Sequence, residues 1–290
     1  MESLQIIMDK YNDTFYTTAD QRSLNWLFMG GPGPILAISI SYLYFCLSFG
    51  PRIMKNRRPF ELKTAVMLYN IFQILLSIFL VYQGSMYMLT KDYKFACEPV
   101  DYSDTPRGVW GASASWWYLF AKITELIDTV FFVLRKKNSQ VSFLHVYHHT
   151  IMSLLVWIGV KYFPCGHSVL LGTMNSFVHV IMYTYYLISG LGPEYQKYVW
   201  WKKHVTLLQL VQFAIVLYHN ASVLFIDCAY PRAANIMICI NSILFIYLFG
   251  KFYINSYKKD NYKKMKHETL KKNTVKKENK KNILDYIFNC

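Results

Sequence analysis

The sequence predicts an all-α integral membrane protein with seven transmembrane helices, and three observations support this prediction. Of the 290 residues, 54% are hydrophobic. These residues form long runs separated by short polar loops, whereas a soluble protein spreads its apolar residues more evenly. Seven runs have the length of about 20 residues that a helix needs to cross about 30 Å of hydrocarbon. We place the spans at about 27–50, 64–89, 114–134, 143–163, 168–190, 203–226 and 235–256, in a single domain of residues 1–256.

The charges of the loops predict the orientation of the spans, because cytosolic loops of membrane proteins carry an excess of Lys and Arg. The loops after the first, third and fifth spans are basic, and the tail 257–290 contains 11 lysines. We therefore expect the N-terminus to face the lumen or the exterior and the C-terminus to face the cytosol. The tail is expected to be a disordered segment that lies against anionic lipid, with no nucleic-acid partner.

Two features fall on the non-cytosolic side of this topology. Three of the six cysteines, Cys97, Cys165 and Cys228, lie in non-cytosolic loops. An oxidising lumen allows one disulfide among these three and leaves one thiol over. Asn12 begins an Asn-Asp-Thr sequence on the same side, so Asn12 is a candidate glycosylation site.

The third span carries four polar side chains, which are functional-site candidates because polar groups are costly to bury in hydrocarbon. The stretch "KITELIDTVFF" places Lys122, Glu125 and Thr129 on one helical face, with Asp128 beside them. Lys122 can pair with Glu125, so a partner for Asp128 must come from another helix. A purely structural ion pair between helices is the alternative interpretation.

The fourth span begins with three histidines, His145, His148 and His149, whose spacing projects them from one helical face. An HxxHH box is typical of membrane di-iron enzymes, which need several such boxes. The chain has eight histidines and only these three form a box, so we do not expect a di-iron site. A single-metal site that adds His179 to the box remains open as an alternative.

The fifth and sixth spans also carry polar stripes. The fifth contributes a single polar and aromatic face made of Asn175, His179, Met182, Tyr183 and Tyr186. The sixth contributes Gln209 and Gln212 on one side, with His204 at its entrance. A satisfied structural role is the alternative for His179, and hydrogen bonds between helices are the alternative for the glutamines.

The depth of these residues predicts a pocket. With a rise of 1.5 Å per residue, all four helices place their polar groups between the cytosolic end and the midplane, and their luminal halves are mostly apolar. Such a pocket opens to the cytosol, and it suits a substrate with a charged head and an alkyl tail. A histidine there could act as a general base or as a nucleophile that forms an acyl-imidazole. The basic cytosolic loops would attract a polyanionic head group such as coenzyme A.

Four motifs occur in a fixed order across residues 122–213. They are "KITELIDT", which fits KxxExxDT, the histidine box "LHVYHH", "MNSFVHVIMYTYY", which fits NxxxHxxMYxYY, and "TLLQLVQF", which fits TxxQxxQF. The ordered set resembles the fatty-acid elongases, the condensing enzymes for very-long-chain fatty acids in the endoplasmic reticulum. With the seven spans, the resemblance extends over nearly the whole chain.

The resemblance implies a reaction in which long-chain acyl-CoA and malonyl-CoA give 3-oxoacyl-CoA, carbon dioxide and free CoA, with no bound cofactor or metal. Helices two to seven would enclose a narrow tunnel that is open to the cytosol and closed toward the lumen. In a ping-pong route, His148 would take the acyl group and His179 would lie across the tunnel. Asp128, His149 and the remaining box residue, His145, would complete the catalytic set, with Asp128 and His149 supporting the imidazoles.

Further expectations follow from the same resemblance. The residues expected to bind substrate are Lys122, Glu125, Thr129, Asn175, Met182, Tyr183, Tyr186, His204, Gln209 and Gln212. A family disulfide maps onto Cys97 and Cys228, and the location would be the endoplasmic-reticulum membrane. Partners would be the surrounding lipid, other enzymes of the elongation cycle, and homo- or hetero-oligomers. Two other interpretations remain: a metal-dependent lipid desaturase or hydroxylase, and a seven-span receptor or transporter.

Overall fold

The computed structural model describes residues 2–258, apart from the side chains of residues 2, 3, 196 and 258, and these residues contain helices and turns but no β-strand. All but the first two residues of the predicted basic tail, 257–290, lie outside the described part. The α-helices are α1 (Glu2–Asn12), α2 (Pro32–Tyr44), α3 (Gly50–Met54), α4 (Lys63–Met88), α5 (Pro106–Thr124), α6 (Ile127–Leu134), α7 (Phe143–Tyr162), α8 (Val169–Leu191), α9 (Lys202–Val223) and α10 (Arg232–Tyr253).

Five helical segments within the described residues are long and apolar enough to cross a membrane. They are Pro32–Met54, Lys63–Met88, Phe143–Tyr162, Lys197–Val223 and Arg232–Tyr257. The protein is therefore an all-helical, multi-pass membrane protein. The predicted third and fifth spans are also helices, α5 with α6 and α8, but they are not among the five. The predicted third and fifth spans carry most of the polar side chains. The count of seven spans therefore stays a prediction.

The largest differences from the predicted spans are at two helix starts. The first helix begins at Pro32 instead of residue 27, because the preceding glycines and Pro32 itself suit a helix start. The third begins at Pro106 instead of residue 114, where the hydroxyl of Thr105 accepts a hydrogen bond from the backbone N–H of Gly108 at 3.2 Å. This helix is also interrupted between Thr124 and Ile127.

The helices pack mainly in pairs, α4 against α8, α9 against α10 and α5 against α7, and α2 lies against α7. A segment before the first span ties α2 to α7. The Nζ of Lys161 donates to the carbonyl of Met29 at 2.7 Å, and the indole N–H of Trp157 donates to the carbonyl of Phe28 at 2.8 Å. These bonds satisfy polar groups that would otherwise be buried alone, and they fix the start of α2 against the end of α7.

The loops at the luminal side of the predicted topology are cross-linked. The structure joins Cys97 to Cys228, the pair that the resemblance implied. Cys165 is a buried free thiol. Asn12 is exposed at the end of α1, so its glycosylation is sterically open and stays a prediction.

Candidate functional site: a polar cluster at one end of an apolar cavity

A cavity lies among α4, α5, α7, α8, α9 and α10, with about 1220 Å³ of empty space when its open part is included. Most of its lining is apolar. His148 and Val160 both line it along α7, and twelve residues of helix correspond to about 18 Å. His148, Asn175 and Gln212 lie at one end, and Tyr87, Cys165 and Tyr230 lie at the other.

The interruption between α5 and α6 places Glu125 in the polar cluster. A broken helix leaves backbone groups without partners, which other groups must satisfy. Here α4 supplies one partner: Tyr69 donates its hydroxyl hydrogen to the carbonyl of Thr124 at 3.2 Å. Gln73 Nε2 holds the side chain of the same residue by donating to Oγ1 of Thr124 at 3.1 Å. Glu125 follows directly and is buried.

Four buried side chains form the centre of the cluster. Lys122 Nζ donates to Glu125 Oε1 at 2.7 Å and to Asn175 Oδ1 at 2.7 Å. Nδ1 of His179 lies 3.1 Å from Glu125 Oε1. A buried ion pair is tolerated only when both charges are paired and hydrogen-bonded. The cluster meets this condition, and it joins α5 and the break after it to α8.

The contacts of Asn175 orient its amide. The Oδ1 atom accepts from both Lys122 Nζ, at 2.7 Å, and the hydroxyl of Tyr118, at 2.9 Å. With the oxygen occupied by two donors, the NH₂ group must occupy the other side of the amide. Asn175 lines the cavity, so its Nδ2 can donate a hydrogen bond to a bound molecule.

Asp128 contacts a phenol instead of an imidazole. Its Oδ2 accepts from the hydroxyl of Tyr183 at 2.7 Å, and both residues are buried. Among the hydrogen bonds of the described residues, none joins Asp128 to a histidine. The carboxylate beside an imidazole is that of Glu125, so the support that Asp128 was expected to give the histidines stays a prediction and would act through Tyr183.

The histidine box is divided between two environments. His148 lines the cavity, and its ring packs 4.9 Å from that of Phe245, centroid to centroid. His145 and His149 pack against each other, with ring centroids 4.3 Å apart, and Nε2 of His145 lies 3.0 Å from Oγ1 of Thr129. Of the three histidines, His148 is therefore the one that a molecule in the cavity can reach.

The remaining predicted residues vary in their distance from the cavity. Gln212 is buried and lines it. Gln209 is half-buried and donates from Nε2 to the sulfur of Met182 at 3.8 Å. Tyr186 packs against Tyr183. His204 is exposed near the start of α9 and packs against Trp200. Thr129 has no exposed surface, and it lies behind the histidine box and not in the cavity.

Sequence reasoning missed two residues of the site. Tyr118 bonds Asn175, and its position one helical turn before Lys122 could have indicated it. Phe245 packs on His148, and nothing distinguishes an aromatic residue in a span from ordinary lipid-facing or core residues.

The described residues contain no group of three or more His, Cys, Asp or Glu side chains in a metal-binding arrangement. In the box, Nε2 of His145 lies within hydrogen-bond distance of Thr129, and the rings of His148 and His149 are nearly perpendicular, at 87°. The absence of a bound metal stays a prediction.

Comparison with known proteins assigns the chain to a family. The ELO: GNS1/SUR4 family matches residues 27–265, which include all four motifs and every helix from α2 onward. The chain belongs to this family. The resemblance to the fatty-acid elongases is thereby confirmed.

Curated relatives of this family align with most of the chain. A very long chain fatty acid elongase of Aedes aegypti is 47% identical over 259 residues, which are 89% of this chain and 70% of that protein. Very long chain fatty acid elongase 7 of Drosophila melanogaster is 42% identical over 260 residues, 89% of this chain and 79% of that protein. Very long chain fatty acid elongase 4 of Homo sapiens is 44% identical over 262 residues, 88% and 83% of the two chains.

Proposed function

We propose that this protein is the condensing enzyme of fatty-acid elongation, which joins a long-chain acyl-CoA to malonyl-CoA and releases 3-oxoacyl-CoA, carbon dioxide and free CoA. Membership of the ELO family, whose curated relatives are named very long chain fatty acid elongases, supports fatty-acid elongation. The observation that carries the chemistry is the position of His148 at the polar end of a long apolar cavity.

The wall of the cavity suits an alkyl chain. Several polar residues line it, but their side chains bond backbone carbonyls within their own helices and leave carbon atoms toward the cavity. Ser115 donates to the carbonyl of Gly111 at 3.0 Å, and Ser176 donates to that of Gly172 at 2.8 Å. Each buried methylene contributes about 0.8 kcal/mol of binding. We therefore place the acyl chain in the cavity, with its thioester at His148.

In the first step, a ring nitrogen of His148 attacks the thioester carbonyl. A carbon–nitrogen bond forms, the carbon–sulfur bond breaks, and CoA leaves as a thiolate that takes up a proton from water, so that the acylated imidazole keeps its own N–H and a positive charge. The carbonyl oxygen becomes negatively charged during this step. The Nδ2 of Asn175, whose orientation is set by Lys122 and Tyr118, is the donor best placed to stabilise that charge.

In the second step, malonyl-CoA loses carbon dioxide, and the electron pair of the broken bond remains on the adjacent carbon. This carbanion attacks the acyl carbon on His148. A carbon–carbon bond forms, the carbon–nitrogen bond breaks, and the imidazole is regenerated. His179 would face the enolate oxygen, with Glu125 orienting its ring through Nδ1. Asp128 and His149 would help to hold the imidazoles of the site in position.

The placement in the membrane belongs to the same proposal. We place the polar end of the cavity toward the cytosol of an endoplasmic-reticulum membrane, with seven spans, helices two to seven around the substrate and the N-terminus in the lumen. The basic loop after the first span, which contains Arg52, Lys55 and Arg57, would attract the phosphates of CoA.

The experiment that tests the proposal incubates the purified protein in lipid nanodiscs with acyl-CoA and radiolabelled malonyl-CoA, with and without a chelator. We expect labelled 3-oxoacyl-CoA in equal amounts in both samples. A protein that holds iron and makes no 3-oxoacyl-CoA in either sample would contradict the proposal and favour the desaturase or hydroxylase interpretation.

A further inference from the structure

A chain of hydrogen bonds connects the first span to the histidine box. The hydroxyl of Tyr42, on α2, lies 2.7 Å from Oγ1 of Thr129, on α6. The same Oγ1 lies 3.0 Å from Nε2 of His145, on α7. Tyr42 is 6% exposed and Thr129 is 0% exposed, so both hydroxyls are separated from solvent.

The side chains around the Tyr42 end of these hydrogen bonds are apolar. Tyr42 belongs to an apolar cluster with Cys46, Leu126, Val133 and Val146. Leu126 and Val133 lie on either side of Thr129 in the sequence, and Val146 follows His145 on α7. A buried hydroxyl in such surroundings has no water to replace a lost partner, so the free energy of each hydrogen bond depends on the protein groups alone.

The orientation of the Thr129 hydroxyl is unusual for a helix. Threonine hydroxyls in helices commonly donate to the carbonyl four residues earlier, as Thr150 does to Val146 at 2.8 Å and Thr184 does to Val180 at 2.7 Å. The described hydrogen bonds of Thr129 join its hydroxyl to side chains of two other helices instead, Tyr42 on α2 and His145 on α7. The contact across three helices therefore replaces the local one.

The numbers of donors and acceptors decide the direction of the chain. A phenol carries one proton, and within residues 2–258 the hydroxyl of Tyr42 has no hydrogen-bond partner besides Thr129. If His145 donated to Thr129 and Thr129 to Tyr42, the phenol proton would be buried without an acceptor. If Tyr42 and His145 both donated to Thr129, the Thr129 proton would have no acceptor among the described bonds. Tyr42 therefore donates to Thr129, and Thr129 donates to Nε2 of His145. His145 then carries its proton on Nδ1.

We propose that Tyr42 is a positioning residue for the histidine box: through Thr129 it holds His145 in one tautomer and one ring orientation. The ring of His145 lies 4.3 Å from that of His149, and His149 lies 5.4 Å from His148, centroid to centroid. A rotated His145 would therefore disturb the packing behind the nucleophile. The kinetic consequence rests on the proposed function, whereas the tautomer does not.

The kinetic test compares four single variants and one double variant in nanodiscs. Tyr42→Phe and Thr129→Val each break the chain, and we expect kcat for 3-oxoacyl-CoA formation to fall about five- to tenfold with little change in KM. Thr129→Ser keeps the hydroxyl and is expected to restore kcat. Tyr44→Phe removes the phenol of an exposed neighbour on α2 and serves as the matched control. The double variant Tyr42→Phe/Thr129→Val should be no slower than Thr129→Val alone.

A spectroscopic test works without activity. In protein labelled with ¹⁵N-histidine, assigned by loss of signals in His145→Gln, we expect Nδ1 of His145 to be protonated and Nε2 to be unprotonated. In Tyr42→Phe these signals should shift or broaden, and in Tyr44→Phe they should not. Unchanged signals and unchanged kcat in Tyr42→Phe would overturn the inference and leave the proposed function intact. Signals that shift in Tyr42→Phe, together with a wild-type protein that makes no 3-oxoacyl-CoA, would support the inference and overturn the function.

Discussion

The two ends of the cavity both contain buried polar residues, but they use them differently. At the end with His148, Lys122 is paired with Glu125 and bonds the amide oxygen of Asn175, and Asn175 and His148 both line the cavity. At the other end, the guanidinium of Arg107 covers the ring of Tyr87 at 4.5 Å and is itself paired with a carboxylate, that of Glu98, at 2.5 Å.

The difference shows how one helix bundle places reactive groups at one end of the cavity and closes the other end. At the reactive end, interior charges satisfy one another and orient the groups that remain available to a substrate. At the far end, charges lie outside the aromatic wall and hold loops over it, together with the disulfide between Cys97 and Cys228. Removing polar groups at the first end should therefore abolish catalysis and also lower stability, whereas at the second end it should lower stability alone.

The largest effect is expected from the ion pair at the reactive end. Glu125→Gln leaves the Lys122 charge buried without its carboxylate, so we expect a loss of about 3–5 kcal/mol of stability, seen as a lower Tm in nanodiscs. The double variant Lys122→Met/Glu125→Leu removes both charges and should recover most of the Tm without recovering activity. Glu61→Gln changes an exposed carboxylate and is the control. If the double variant remained active, the cluster would be only structural.

A smaller effect is expected from opening the far end. The double variant Cys97→Ser/Cys228→Ser should lose about 2–4 kcal/mol of stability while keeping its kcat at temperatures where it is folded, because the disulfide lies away from His148. Reductant should lower the Tm of the wild-type protein and leave that of the double variant unchanged. A loss of kcat in the folded variant would show that the two ends are coupled.

The smallest effect is expected inside the cavity between the two ends. Gly172 lines the cavity, and a Cβ added there meets no atom within 4 Å, so a larger side chain can occupy the empty space. Gly172→Leu should lower the kcat/KM ratio of longer to shorter acyl-CoA substrates about tenfold and leave the Tm unchanged or raised. Gly190→Ala, at an exposed position, is the control. An unchanged ratio would place the acyl chain elsewhere.

The positions of the helices and part of the reactive end could be predicted from residue spacing alone. The helices lie close to the predicted spans because long apolar runs have few other solutions in a bilayer. The pair of Lys122 with Glu125 follows from their separation by three residues on one helix. Asp128 does find its partner on another helix, but the partner is the phenol of Tyr183, and spacing within one helix carries no information about that choice.

Other features depend on contacts between helices that a single sequence does not display. The break before α6 depends on Tyr69 and Gln73 of α4, which look like ordinary residues of a span. The division of the histidine box follows from the packing of α6 and α10 around α7, not from the shared face that the spacing predicted. Tyr42 is one of 24 tyrosines, and only its contact with Thr129 distinguishes it.

The identity of the nucleophile is tested most directly by trapping the acyl enzyme. The protein is incubated with acyl-CoA in the absence of malonyl-CoA, digested, and examined by mass spectrometry. We expect an acyl group on His148, none in His148→Ala, and an unchanged adduct in Tyr147→Phe. An adduct that persists in His148→Ala, or that lies on another residue of the wild-type protein, would contradict the assignment of His148.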